Sequence, residues 1–279
     1  MFNPRAMSPS LRLEPGGTGG IHSEYTKCKK YVNGGPQGKD FVLVTLLLYQ
    51  RLEPTLSKAR LESYRIDDCT DFELLVNYYW NVALAEALHS SLHATEVALR
   101  NSIHSGFSQR FGTTEWYDID NLLEEHDSGL VSAVRQGAAV RNQPAPTADQ
   151  MVSRLSFGFW THMVSSRYDE AIWSPDHWTM VRTVFSYGLN ETGKRLGRNV
   201  LGQHYNEVRF LRNRVAHFEQ IFNSNRLIRN HAAIHDGIGW IDPVLQAITE
   251  NTDSFPAVYY GGRPTVRDKL AEFIVDGPG

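Results

Sequence analysis

The chain has only two cysteines, Cys28 and Cys69. Two are too few for a disulfide framework or a cysteine-based zinc site, and a reducing cytoplasm suits such a chain. Long apolar runs are missing too. The longest covers residues 41–49, about half of what a helix needs to span a bilayer. It follows no basic stretch at the extreme terminus and precedes no small-residue cleavage site, so neither a membrane anchor nor a signal peptide is expected. Charge of one sign is also scarce: 28 Lys and Arg stand against 31 Asp and Glu, a net charge of −3. Contact with nucleic acid therefore needs a local basic patch. There is no tandem repeat, no Gly-x-Ser-x-Gly elbow and no cysteine in a reactive setting. Thr192-Gly-Lys-Arg-Leu-Gly197 lacks the spacing of a phosphate loop and follows no clear strand.

What is present is an ordinary globular composition, 41% hydrophobic and 21% charged over 279 residues. That suffices for one large helical domain or two modest ones. Residues 1–40 are rich in Gly, Pro, Ser and Lys with no apolar period, and read as a mobile, disordered N-terminal tail without chemistry of its own. Folded structure is expected from Phe41. From Asp71, apolar residues recur every three or four positions to Phe107, which predicts a long amphipathic helix capped by Thr70 or Asp71 and ending near Gly106. Further helices are predicted over 121–135, 149–163, 178–189 and 202–222, with a turn at 174–177 and a short helix over 266–275. Pro144 and Pro146 make 137–147 the linker candidate. The chain is thus expected to be all-α: a main helical domain over 41–230 and a C-terminal extension over 231–279.

On the helix predicted over 202–222, Tyr205, Val208, Leu211, Val215, Phe218 and Phe222 form one apolar stripe. Arg209, Arg212, Asn213, Arg214 and His217 flank it. Residues 182–229 hold nine basic side chains against three acidic ones, in a chain that is otherwise acidic. Histidine titrates near neutrality and can act as base or acid, while arginine stays charged and forks onto phosphate oxygens. One Arg and one His complete little chemistry, but the same helix repeated across a two-fold axis would bring two of each to one cleft. Such a set suits metal-free RNA cleavage. The same residues also fit a solvated basic face whose histidine is satisfied by a backbone carbonyl.

Arg212-Asn-Arg-Val-Ala-His217 resembles the Arg-Asn-x-x-x-His signature of HEPN domains. Leu155-Ser-Phe-Gly-Phe-Trp160, the text from Leu211 to Asn223, and Glu96-Val-Ala-Leu-Arg100-Asn-Ser-Ile103 together resemble the Abi-like (AbiD/AbiF) branch of that family, in the expected order over residues 50–230. The resemblance implies a HEPN-type helical bundle with additional helices. It also implies a homodimeric, cytoplasmic, metal-independent endoribonuclease without cofactor, linked to abortive infection, phage defence or toxin–antitoxin function. RNA is then the substrate, and an antitoxin or phage-derived trigger a further partner. It assigns catalysis to Arg212 and His217 and the polar position after the arginine to Asn213. Many relatives carry a second histidine where this chain has Phe218. The alternative within the family is a HEPN module that binds RNA, a nucleotide or a protein without cutting.

Two further groups invite comment. Glu96, Arg100 and His104 share one helix face, where Glu96 would orient Arg100 toward the cleft or merely pair with it along the helix. With Arg209 and Arg214, Glu96 and Arg100 are the expected RNA-binding or supporting residues. His231 and His235 are four apart, a spacing that suits a metal. No third ligand is predictably placed, however, and Gly237 and Gly239 favour a loop, so no metal is expected. Phe157, Phe159 and Trp160 could stack bases, but their helical spacing beside Leu155 and Met163 favours the core.

Overall fold

A computed structural model describes residues 39–174 and 177–276. The expected tail falls almost wholly outside the described residues, as do two residues of the expected turn at 174–177. Among the described residues the chain is all-α. It has eleven α-helical elements, the last of them broken at Gly262, and no strand, only an isolated bridge between Leu189 and Arg195. No helix of the described residues is long and apolar enough to cross a membrane.

The chain divides into two compact units. The first holds the described residues up to Tyr79 together with those from Arg263 onward. It contains α1 (Lys39–Leu56), α2 (Lys58–Glu62), the start of α3 (Asp71–Phe111) and the end of α11 (Phe255–Asp276). Phe41, Val44, Phe72, Val76 and Ile274 form its apolar cluster, with the Phe41 and Phe72 rings edge to face at 4.9 Å. Arg65 ties its connecting segment down, reaching Glu62 at 2.7 Å, Asp71 at 2.7 Å and the Cys69 carbonyl.

The second unit, residues 80–262, carries the rest of α3 and α4 (Glu125–Val140), α5 (Ala148–Arg154), α6 (Phe157–Met163) and α7 (His177–Val184). It continues with α8 (Arg198–Ala216), α9 (Leu227–Ile241), α10 (Pro243–Thr252) and the first turns of α11. Leu84, Leu88, Leu92, Leu99, Ile103 and Phe107 form the buried stripe of α3. Trp116 sits among Phe107, Phe159 and Trp160, all fully enclosed. Phe157, Phe159 and Trp160 are therefore core. Each such burial contributes roughly 1.5–3 kcal/mol.

Local chemistry explains where the helices depart from the periodic reading. Thr70 caps α3, its hydroxyl accepting from the Glu73 amide at 3.3 Å. The helix passes Gly106 and stops at Phe111, where Gly112 takes φ 71° and so supplies a left-handed end. Asn121 is itself left-handed (φ 60°), which delays α4 to Glu125, and the helix then runs through Gly137 to Val140. Residues 141–147 join α4 to α5, with Thr147 and Gln150 forming a capping box. The single helix expected over 149–163 is two helices, because Ser156 leaves the helical path and caps α6 through the Phe159 amide.

Helix α8 ends at Ala216, not at residue 222. Phe218 has φ 57° and is 70% exposed, so it does not extend the apolar stripe, although Phe222 is buried against Trp80. In the C-terminal region α9 and α10 were not expected, and α11 is broken at Gly262 (φ 64°), its second segment covering the short helix expected over 266–275. Gly237 and Gly239 lie inside α9, not in a loop. A Cβ at Gly237 would stand 3.2 Å from Tyr205, whose hydroxyl donates to the Gly237 carbonyl at 2.7 Å. There glycine permits a close helix–helix approach and does not break the helix.

The start of α8 is anchored by Arg198, 5% exposed, which donates to the Val164 carbonyl at 3.2 Å and pairs with Asp169 at 2.6 Å. One turn on, a Cβ at Gly202 would lie 2.6 Å from the backbone oxygen of Val164. Gly202→Ala should therefore cost about 1–3 kcal/mol in urea unfolding. Gly129→Ala, in open space on α4, should be neutral or stabilising by about 0.5–1 kcal/mol. Equal effects at the two positions would contradict the packing described.

Candidate functional site

The last turn of α8 brings the motif to the surface. Leu211 and Val215 are buried, and Arg212, Asn213 and Arg214 are half-buried on the flanks of the helix. His217 is the capping residue at φ −92°, ψ 8°, and its amide donates to the Asn213 carbonyl at 2.8 Å. The His217 side chain is exposed and makes no hydrogen bond or ion pair with a described residue. The Asn213 carboxamide is likewise unengaged among the described residues.

Arg212 donates through Nε to Glu96 Oε2 at 3.2 Å, bridging α8 to α3. At 34% and 20% side-chain exposure the pair contributes at most about 1 kcal/mol. Its consequence is positional. The bond occupies Nε, and the two Nη groups, the fork that grips phosphate, have no partner among the described residues.

The remaining candidates divide. Glu96 pairs across to Arg212, while the Nε of Arg100 is enclosed without an acceptor among the described residues. His104 accepts the Trp116 indole N–H at 3.1 Å, and burial holds its pKa below the ordinary histidine value. It belongs to the aromatic core. Arg209 is held by Asn206 Oδ1 and lies over the Phe210 ring at 4.8 Å. Arg214 is committed to the loop that follows, bonding the Gln220 carbonyl and standing 3.7 Å from Glu219.

That loop is fixed by a residue the periodic reading passed over. Asn81 on α3 is 3% exposed. Its Oδ1 accepts from the amides of Ile221 at 2.7 Å and Phe222 at 3.2 Å, while its Nδ2 donates to the Glu219 carbonyl. Asn81 thus holds the chain that leads away from His217. A lone Asn in a helical pattern carries no mark of this role, because its partners lie some 140 residues away.

No protein-family model, curated protein or solved structure matches the chain.

Proposed function

We propose that the chain is a metal-independent endoribonuclease of abortive-infection or toxin type, whose active site joins Arg212 and His217 from two copies in a homodimer. The observation that supports this reading is that one end of α8 carries both an exposed imidazole and an arginine Nη fork, neither with a partner among the described residues. Phe210 and Phe218, 56% and 70% exposed, flank the motif as apolar surface that a second copy would cover.

The chemistry follows from those groups. One His217 removes the proton from a ribose 2′-hydroxyl, and the oxygen attacks the adjacent phosphorus. The Arg212 forks hold the equatorial oxygens as charge builds on the phosphorane. The bond from phosphorus to the 5′-oxygen breaks, and the second His217 protonates that oxygen. The products are a 2′,3′-cyclic phosphate and a free 5′-hydroxyl. The Asn213 carboxamide would orient an imidazole or the phosphate.

A HEPN-like module that holds RNA, a nucleotide or a protein without cutting is the second reading. The Glu96–Arg212 pair favours it, since a carboxylate beside Arg212 competes with phosphate. Incubation of the full chain with total RNA separates the two. Cleavage should leave 2′,3′-cyclic phosphate ends and persist in EDTA well below the melting temperature. Retarded RNA without new termini would favour the binding module.

A further inference from the structure

Outside the α8 motif, two groups of side chains converge as metal ligands do: His126 with Asp127 and His162, and His231 with His235 and Asp253. In the first group both oxygens of Asp127 are engaged. Tyr168 donates to one at 2.6 Å, and His162 Nδ1 stands 3.2 Å from the other. His126 is exposed and adjoins Asp127 in sequence, where successive helical side chains diverge by about 100°. That arrangement is a satisfied buried carboxylate.

The second group differs. His231 and His235 project from one face of α9, and Asp253 ends α10 just before α11 begins. Their side chains are 14%, 7% and 2% exposed. Both Nε2 atoms point at the same oxygen, Asp253 Oδ2, which lies 2.8 Å from that of His235 and also in contact with that of His231. The two Nε2 atoms are themselves 3.2 Å apart. Tetrahedral zinc with ligands at about 2.0–2.1 Å has ligand–ligand edges of about 3.3 Å. The nitrogen pair already has that spacing, and the carboxylate oxygen would have to retreat from both imidazoles, by about 0.5 Å from His235 and further from His231, to match it.

The surroundings agree. The other carboxylate oxygen of Asp253 accepts from the Phe255 amide at 2.8 Å, which fixes the carboxylate. The Phe255 ring stacks on His231 at 4.3 Å, which fixes that imidazole. His235 Nδ1 is buried with no hydrogen-bond partner among the described residues, so no hydrogen bond there dictates the tautomer. His235 Nε2 now faces Asp253 Oδ2, and a cation bound there would replace the proton that this contact holds and leave the ring proton on Nδ1.

We infer that His231, His235 and Asp253 form a binding site for one divalent transition-metal ion, zinc by ligand type, which clips α9 to the joint between α10 and α11. Two imidazoles and one carboxylate leave the fourth position to water. Hard cations such as magnesium are disfavoured by the imidazole pair. The inference does not rest on the ribonuclease reading, and its test does not use RNA.

The full chain, stripped with chelator and exchanged into metal-free buffer, is titrated with Co²⁺ and then Zn²⁺. A visible d–d band should rise and saturate at one Co²⁺ per chain, and Zn²⁺ should bleach it. Melting temperature should rise with Zn²⁺ and fall on chelation. His231→Gln should lower affinity by more than about 100-fold, beyond the loss that outer partners of a metal site produce. Asp253→Asn, which keeps the acceptor for Phe255, should also weaken binding and serves if His231→Gln does not fold. No stoichiometric band, or undiminished Co²⁺ binding in whichever variant folds, would overturn the site. Binding carried by His126 and His162 would leave both variants unaffected and so overturn it as well.

Discussion

Replacing His217 with Ala should reduce RNA cleavage by at least about 10²–10⁴-fold, the contribution of one positioned proton-transfer group. In a two-fold site the loss removes both histidines at once, base and acid together, so the upper part of that range is expected. The fold should not notice. His217 is exposed and bonded to nothing among the described residues through its side chain, so stability should stay within about 0.5 kcal/mol of the parent chain. Circular dichroism and thermal melting provide that control. Arg212→Lys should also fail, since an ammonium cannot fork onto two phosphate oxygens. Undiminished cleavage by the His217 variant would remove catalysis from α8 altogether.

The second large effect lies away from the motif. Asn81→Leu keeps the branched shape of the side chain but removes three hydrogen bonds to the loop after α8. It leaves the amide of Ile221, a residue 0% exposed, without its acceptor and takes one acceptor from that of Phe222. The expected loss is about 3 kcal/mol, because orphaned buried amides cost more than the bonds they made were worth. Hydrogen exchange at those two amides should accelerate, and cleavage should fall as His217 loses its fixed exit. A loss below about 1 kcal/mol in urea unfolding would show that Asn81 does not hold the loop.

The two positions illustrate what the chain discloses before it folds. Helices α3 and α8 were legible because long stripes of Leu, Val and Tyr leave one periodic reading. The cap of α3 was narrowed to Thr70 or Asp71, and the charged flank of α8 announced itself by lying off the stripe. The break at Ser156 was hidden, since its cap interrupts a run whose apolar residues all become buried anyway. Gly237 and Gly239 misled: their absence of side chain reads as a breaker, yet at Gly237 it admits Tyr205 against α9. Asp253 could not be matched to His231 and His235 because a whole helix, α10, intervenes. Arg198 offered no signal either, a guanidinium buried by partners on a distant segment. Patterns within one helix survive in the sequence; pairings between helices do not.

The first unit draws on both ends of the described chain, with Phe41, Phe72 and Val76 waiting for Ile274. On the ribosome this imposes an order of events. Residues 80–262 must be synthesised in between, which takes on the order of ten to forty seconds at ordinary elongation rates. Throughout that interval the apolar faces of α1 and of the start of α3 have no Ile274 or Leu270 to cover them. The middle unit can complete its own packing while the outer one is still unfinished. A chain whose translation stops short of the last helix would keep α8 and its motif but display that uncovered surface to chaperones and proteases.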